Sequence, residues 1–131
     1  MTDQEEPWYH HRLRVRYCET DCGGVAHHGS YVDWVEESRT EWMRARGKSY
    51  REFEAEGVFL YVSEFQVKYL RSTRFDDELE VATRLADRRG ASVLFEYVIK
   101  LVDEDAVVAR ATTKLACVDA AGNIRRLPPD L

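Results

Sequence analysis

The chain has 131 residues, 44% hydrophobic and 33% charged, enough to bury one substantial core and too few for two ordinary domains. Its net charge is −5 and its pI about 5.4, with no Lys/Arg block as long as a nucleic-acid tail, so DNA and RNA are not expected partners. Three cysteines, no secretory signal pattern and no apolar run able to span a bilayer point to reduced thiols in a cytoplasmic protein rather than to a disulfide framework.

A single domain over 1–131 is expected, with the polar first eight residues mobile. From His11 to Tyr17, Leu13, Val15 and Tyr17 alternate with Arg12, Arg14 and Arg16, the period of a strand with one solvated face. A helix is predicted from about Tyr31 to Arg46, roughly 24 Å at about 1.5 Å per residue. Ser30 with Asp33 reads as a capping-box type of start, and Gly47 after Arg44 and Arg46 as a stop with cations in the last turn. Tyr31, Trp34, Val35, Ser38, Trp42 and Ala45 share one face, widened by Val32 and Met43. Glu36 and Arg39, three apart, read as an intrahelical ion pair rather than as catalytic groups.

Ser49 with Glu52 opens a short helical turn that Gly57 closes. Four strands are then predicted in a row. The first carries Tyr61, Ser63, Phe65, Val67 and Tyr69 on one face, and the second Leu79, Val81, Thr83 and Leu85. Val93, Phe95, Tyr97, Ile99 and Leu101 make one face of the third, and Val107, Ala109, Ala111, Thr113, Leu115 and Cys117 one face of the fourth. The links Arg88-Arg89-Gly90, Asp103-Glu104-Asp105 and Ala120-Ala121-Gly122-Asn123 read as turns, so antiparallel hairpins follow one another without crossover helices. The expected class is α+β, a curved antiparallel sheet of about five strands wrapped around one long central helix. Leu94, Val98, Val102, Val108, Ala116 and Val118 leave apolar groups on the second face of the last strands, and a second copy of the chain is the simplest cover.

The stretch from Tyr17 to Tyr31 holds the chemistry. Asp21 sits in a glycine-bearing loop that leads within a few residues to the N-terminus of the long helix, where free N–H groups favour negative charge. A carboxylate beside an anion trap supplies two parts that acyl transfer needs. Asp in an Asp-Cys-Gly-Gly loop is equally a turn former, its carboxylate bonded to nearby backbone N–H groups. Cys18, Cys22, His27 and His28, with Asp21, are zinc-type ligands, but their spacing is unsuited, and only His10-His11 offers a further pair.

The order strand, Asp-x-x-Gly-Val-x-x-His-x-x-Tyr, long helix and meander resembles the hotdog fold. The motif as it stands here, Asp21, Gly24, Val25, His28 and Tyr31, resembles the 4-hydroxybenzoyl-CoA thioesterase family. The phrase from Tyr69 to Val81 is similar to the strand-turn-strand of the Tol-Pal-associated acyl-CoA thioesterase branch, with Ser72-Thr73 where many relatives have a proline. The likeness runs from about Arg14 to Pro128.

This resemblance implies hydrolysis of an acyl-CoA thioester to a free acid and coenzyme A, with no cofactor and no metal. Asp21 would be the catalytic carboxylate, as general base or as nucleophile through a mixed anhydride. Gly24, Val25 and Tyr31 would form the oxyanion and substrate loop, with the oxyanion donor a backbone N–H near His28. The His28 side chain would orient the carboxylate or substrate, or only pack. Arg88, Arg89 and Ser92 form the first candidate cluster for the coenzyme A phosphates, and Arg71 and Arg74 the second. Tyr17, Trp34 and Tyr61 could line an aryl pocket or the core. Relatives place the pocket at a subunit boundary, so a homo-oligomer, dimer or tetramer, is implied. The alternatives are a hotdog hydratase, whose Asp-x-Asn-Pro-x-His pattern this chain lacks, and a non-catalytic acyl-CoA binding module.

Overall fold

The computed structural model describes residues 7–131. Strand β1 (Tyr9–Arg14) is followed by a 3-10 turn (Tyr17–Glu19), helix α1 (Ser30–Ala45) and short helix α2 (Tyr50–Ala55). Then come β2 (Phe59–Tyr69), β3 (Glu78–Arg89), β4 (Ser92–Leu101) and β5 (Ala106–Val118). They form one antiparallel sheet in the order β1-β3-β4-β5-β2. Helix α1 packs against β3 and β1 of this sheet, the expected α+β arrangement. The hairpins β3-β4-β5 follow the chain as expected, but β2 does not lie beside β3. It crosses to pair with β5 and becomes the far edge of the sheet.

The expected mobility of residues 1–8 falls largely outside the described residues. Trp8 is described, and its ring lies under the Arg84 guanidinium, with Cζ 4.4 Å from the centroid. Strand β1 begins two residues earlier than expected and ends at Arg14, so Tyr17 stands in the 3-10 turn, 77% exposed. The three arginines stay on the wet side: Arg12 lies near Glu78 and Glu80, Arg14 donates to the Asp76 carbonyl and Arg16 pairs with Glu19.

Alternation holds along β4, where Val93, Phe95, Tyr97, Ile99 and Leu101 are all buried. Elsewhere the ladders carry three irregularities, in β2 between Val62 and Glu64, in β3 between Leu85 and Asp87 and in β5 opposite Ile99 and Lys100, each an extra residue that exchanges the faces. In β2 the shift between Val62 and Glu64 leaves Leu60, Phe65 and Val67 against the core, while Tyr61 is 58% exposed. In β5 the pairing passes from Ala109 to Val107, so Val108, rather than Val107, is buried. The second face of the last strands is therefore less apolar than expected, since Val108 and Val118 are in the interior.

Helix α1 buries Tyr31, Trp34, Val35, Ser38, Trp42 and Met43, whereas Val32 and Ala45 face solvent. Arg39 is also buried and does not make the expected ion pair with Glu36. Its Nε donates to the Tyr50 hydroxyl at 2.8 Å and its Nη1 to the Tyr97 hydroxyl at 3.1 Å, and Tyr97 in turn contacts Thr113 Oγ1 at 2.6 Å. A cation in the core is tolerable only with such partners. The capping box at Ser49 and Glu52 forms as expected, but Ser30 caps nothing. The N-cap of α1 is Gly29, and Ser30 is the first helical residue. No described helix is long and apolar enough to cross a membrane.

Candidate active site

The chain between the 3-10 turn and α1 folds back on itself. Thr20 bridges Ala26, and the His27 N–H donates to the Glu19 carbonyl at 3.0 Å, so Asp21 to Val25 form the tip of a small hairpin. Asp21 N–H donates to the Val25 carbonyl and Gly24 N–H to the Asp21 carbonyl. Gly24 has φ +83, a conformation that glycine alone adopts at little cost. The Asp21 carboxylate is exposed, and its Oδ1 accepts from Gly23 N–H at 2.8 Å and Val25 N–H at 3.4 Å. The turn-former bonds are thus present, and they fix the direction of the carboxylate while Oδ2 accepts nothing among the described residues.

Behind the tip, Glu19 is buried with its carboxylate bonded to the Arg16 N–H at 2.7 Å and to Arg16 Nη2 at 3.1 Å. The Ser30 hydroxyl donates to the Glu19 carbonyl and lies against the His27 ring. The loop between β2 and β3 brackets the hairpin from the other side. Ala26 N–H donates to the Thr73 carbonyl at 2.8 Å, and Val25 bridges Arg74. Thr73 is fully buried, and its hydroxyl meets the Tyr31 hydroxyl at 3.1 Å, a contact a proline there would not make.

At the helix entrance the N–H groups of Ser30, Tyr31 and Val32 are taken by the carbonyls of His27, His28 and Gly29. Among the described residues no acceptor is found for the N–H groups of His28 and Gly29, so these two are the available donors. The His28 ring packs on Tyr69, centroids 4.6 Å apart, and its nitrogens bond nothing among the described residues. Tyr31 is 2% exposed and supports the loop from behind. Burial pushes its phenol up, and the Thr73 hydroxyl opposes this in part. Of the three aromatic candidates for an aryl pocket, Trp34 belongs to the core at 1% exposure, while Tyr17 and Tyr61 are exposed.

The phosphate-binding candidates separate. Arg74 lies at the hairpin, its Nη1 3.6 Å from where a Cβ on Gly24 would stand. Arg71 is paired with Glu104 at 2.7 Å. Arg88 donates to the carbonyls of Leu131 and Pro128, and Arg89 pairs with Asp87 at 2.7 Å. Ser92 Oγ donates to the Arg89 carbonyl. This second group sits at the far end of β3 from the Asp21 hairpin, roughly 33 Å away at about 3.3 Å per residue, and one protomer does not bring the two together. Cys18, Cys22, His27, His28 and Asp21 contribute to no cluster of three metal-type ligands among the described residues. Sequence reasoning missed Glu19, Ser30, Thr73 and Tyr69 as parts of this site. A Glu three residues after an Arg, and a Tyr ending a strand, were the only signals available.

The model of the thioesterase-like superfamily matches residues 15–131. The acyl-CoA thioester hydrolase YbgC of Escherichia coli is 37% identical over 108 residues, covering 82% of this chain and 79% of that protein. Among solved structures, a hypothetical protein from Thermus thermophilus is 34% identical with a TM-score of 0.87, over 95% of this chain and 93% of that one. The DHNA-CoA thioesterase of Staphylococcus aureus is 26% identical with a TM-score of 0.87, over 92% and 80%. A family match over almost the whole length, joined to a fold shared with these structures, shows that the chain belongs to the thioesterase-like superfamily and has the hotdog fold.

Proposed function

We propose that the chain hydrolyses acyl-CoA thioesters, with Asp21 as general base and the N–H groups of His28 and Gly29 as oxyanion donors. The observation that carries this is the pairing of an oriented, exposed carboxylate with two unclaimed N–H groups at a helix entrance, in a chain of this family. Water attacks the thioester carbon as Asp21 Oδ2 takes its proton. The carbonyl oxygen becomes an oxyanion and accepts from the entrance N–H groups. Collapse re-forms the carbonyl and breaks the C–S bond, and the coenzyme A thiolate leaves with the proton returned from Asp21. A positioned base contributes about 10²- to 10⁴-fold and an oxyanion donor about 10²- to 10³-fold. The His28 ring packs on Tyr69 rather than taking part.

The working form is a homo-oligomer joined through β2. This strand ends the sheet, is 11 residues long and exposes Tyr61 and Val62, an edge of the kind that pairs with another strand. Two β2 edges paired antiparallel across a two-fold axis set the Phe59 end of one against the Tyr69 end of the other. Phe59 pairs with Val118, and Ala116 with Ser92, so the Arg88, Arg89 and Ser92 end of each subunit is carried toward the other's hairpin. The coenzyme A phosphates are then met by Arg74 from one chain and by this cluster from its neighbour.

Hydrolysis of butyryl-, octanoyl- and benzoyl-CoA, followed by free-thiol detection, tests the activity. Turnover of at least one is expected, and an enzyme inert toward all three contradicts it.

A further inference from the structure

Tyr69 takes no part in the steps of hydrolysis, yet it touches the oxyanion site twice. Its hydroxyl donates to the His28 carbonyl oxygen at 3.0 Å, and its ring lies against the His28 ring at 4.6 Å and 36°. A third contact, edge-to-face with Tyr31 at 4.9 Å and 87°, ties it to the first turn of α1. Tyr69 is itself rigidly held. It closes β2 opposite Ala109, and the next two N–H groups, of Leu70 and Arg71, both donate to the Val108 carbonyl. His28, by contrast, is an exposed loop residue.

We propose that Tyr69 is a positioning residue for the oxyanion site, its hydroxyl and ring holding the His28 main chain in the orientation that presents the N–H groups of His28 and Gly29 to the substrate. This rests on the thioesterase activity proposed above. The accepting carbonyl belongs to the His28–Gly29 peptide, so a bond to its oxygen fixes the plane of the Gly29 N–H and polarises that N–H as a donor. Burial, and to a smaller degree Tyr31, push the Tyr69 phenol up, which keeps it a donor at neutral pH. The bond is exposed, so its share in global stability is small. Misplacement of a catalytic group by a fraction of an ångström is costly in rate. Stability and rate therefore respond differently to its loss. Since Tyr69 ends the edge strand β2, the same contact links strand pairing between subunits to the oxyanion site.

Tyr69→Phe keeps the ring and removes the hydroxyl, and Tyr69→Leu removes both. Each is compared with the wild type on the thioester of the panel with the highest kcat/KM. Tyr69→Phe is expected to lower kcat by roughly tenfold with KM nearly unchanged and the melting temperature preserved, and Tyr69→Leu to lower kcat further. In an Asp21→Asn background, which holds the bound thioester, the infrared carbonyl stretch of the ¹³C-labelled substrate is expected to move toward its free value when Tyr69→Phe is added. A kcat within twofold of wild type for Tyr69→Phe, or an unmoved carbonyl stretch, overturns the assignment. If Asp21→Asn abolishes turnover and Tyr69→Phe does not slow it, Tyr69 alone is misassigned; if Asp21→Asn is as fast as the wild type, the underlying mechanism falls and the Tyr69 assignment with it.

Discussion

The Ser30 hydroxyl donates to the Glu19 carbonyl oxygen at 2.8 Å, joining the first residue of the central helix to the base of the Asp21 hairpin. Both residues are buried, so Ser30→Ala leaves that carbonyl with only the His27 N–H. A loss of about 1 kcal/mol in urea unfolding is expected, with a fall in kcat, because the hairpin and the helix entrance no longer move as one body. Unchanged kcat would separate the bond from catalysis.

Gly23 and Gly24 answer different constraints. A Cβ on Gly23 would stand 3.2 Å from Asp21 Oδ1, so Gly23→Ala is expected to displace the carboxylate and lower kcat by roughly tenfold at nearly unchanged stability. Gly24 has φ +83, and Gly24→Ala is expected to cost about 1–2 kcal/mol in stability through the backbone itself. Paired urea denaturation and kcat measurements on the two variants check this division.

The buried Arg39 makes an alkaline prediction. Burial pushes the phenols of Tyr50 and Tyr97 above their ordinary value of 10.0, partly opposed by Arg39 in each case. Their folded pKa values lie above the unfolded ones, so the stability they contribute is complete below about pH 10 and is lost as pH rises through the folded values. The urea midpoint is expected to fall above pH 10. Tyr97→Phe, which removes an acceptor of the buried cation, is expected to be about 2 kcal/mol less stable than wild type at pH 7, with the gap narrowing at pH 11. A gap that stays constant would contradict this.

These particulars show where the sequence was readable. Strand β4 alternates without interruption and all five of its inward residues are buried as expected. In β2 and β5 a single extra residue exchanges the faces, and nothing in the residue types near Ser63 or Val107 marks the place. Arg39 lies four residues after Val35 and three before Trp42, on the apolar stripe of the helix, but its charge argued for the outside. Its partners Tyr50 and Tyr97 come from distant segments, and no local pattern shows that they converge. At the site, the Asp21 to Tyr31 spacing carried the family, whereas the supporting bonds from Glu19, Tyr69 and Thr73 depend on packing between segments.

The proposed subunit arrangement is open to disruption at the edge. Val62 is 50% exposed on β2, and Val62→Lys is expected to convert the oligomer to monomer in light scattering and to lower activity in parallel. A monomeric wild type with full activity would remove the neighbouring chain from the mechanism.

A mixed anhydride through Asp21 leaves an isotopic trace wherever water attacks its aspartyl carbonyl. In a single turnover in H₂¹⁸O with excess enzyme, a general base leaves the Asp21 carboxylate unlabelled and sends ¹⁸O only into the product acid. Label in the peptide bearing Asp21 would instead mark a mixed anhydride.

The most direct measurement is kcat of Asp21→Asn on the preferred acyl-CoA, beside the wild type and with the melting temperatures of both. Asparagine keeps the side-chain oxygen that Gly23 and Val25 hold and removes the base. A fall of at least about 10²-fold in a folded variant is the predicted result. A folded Asp21→Asn as fast as the wild type would contradict the account and leave Asp21 as a residue of the turn.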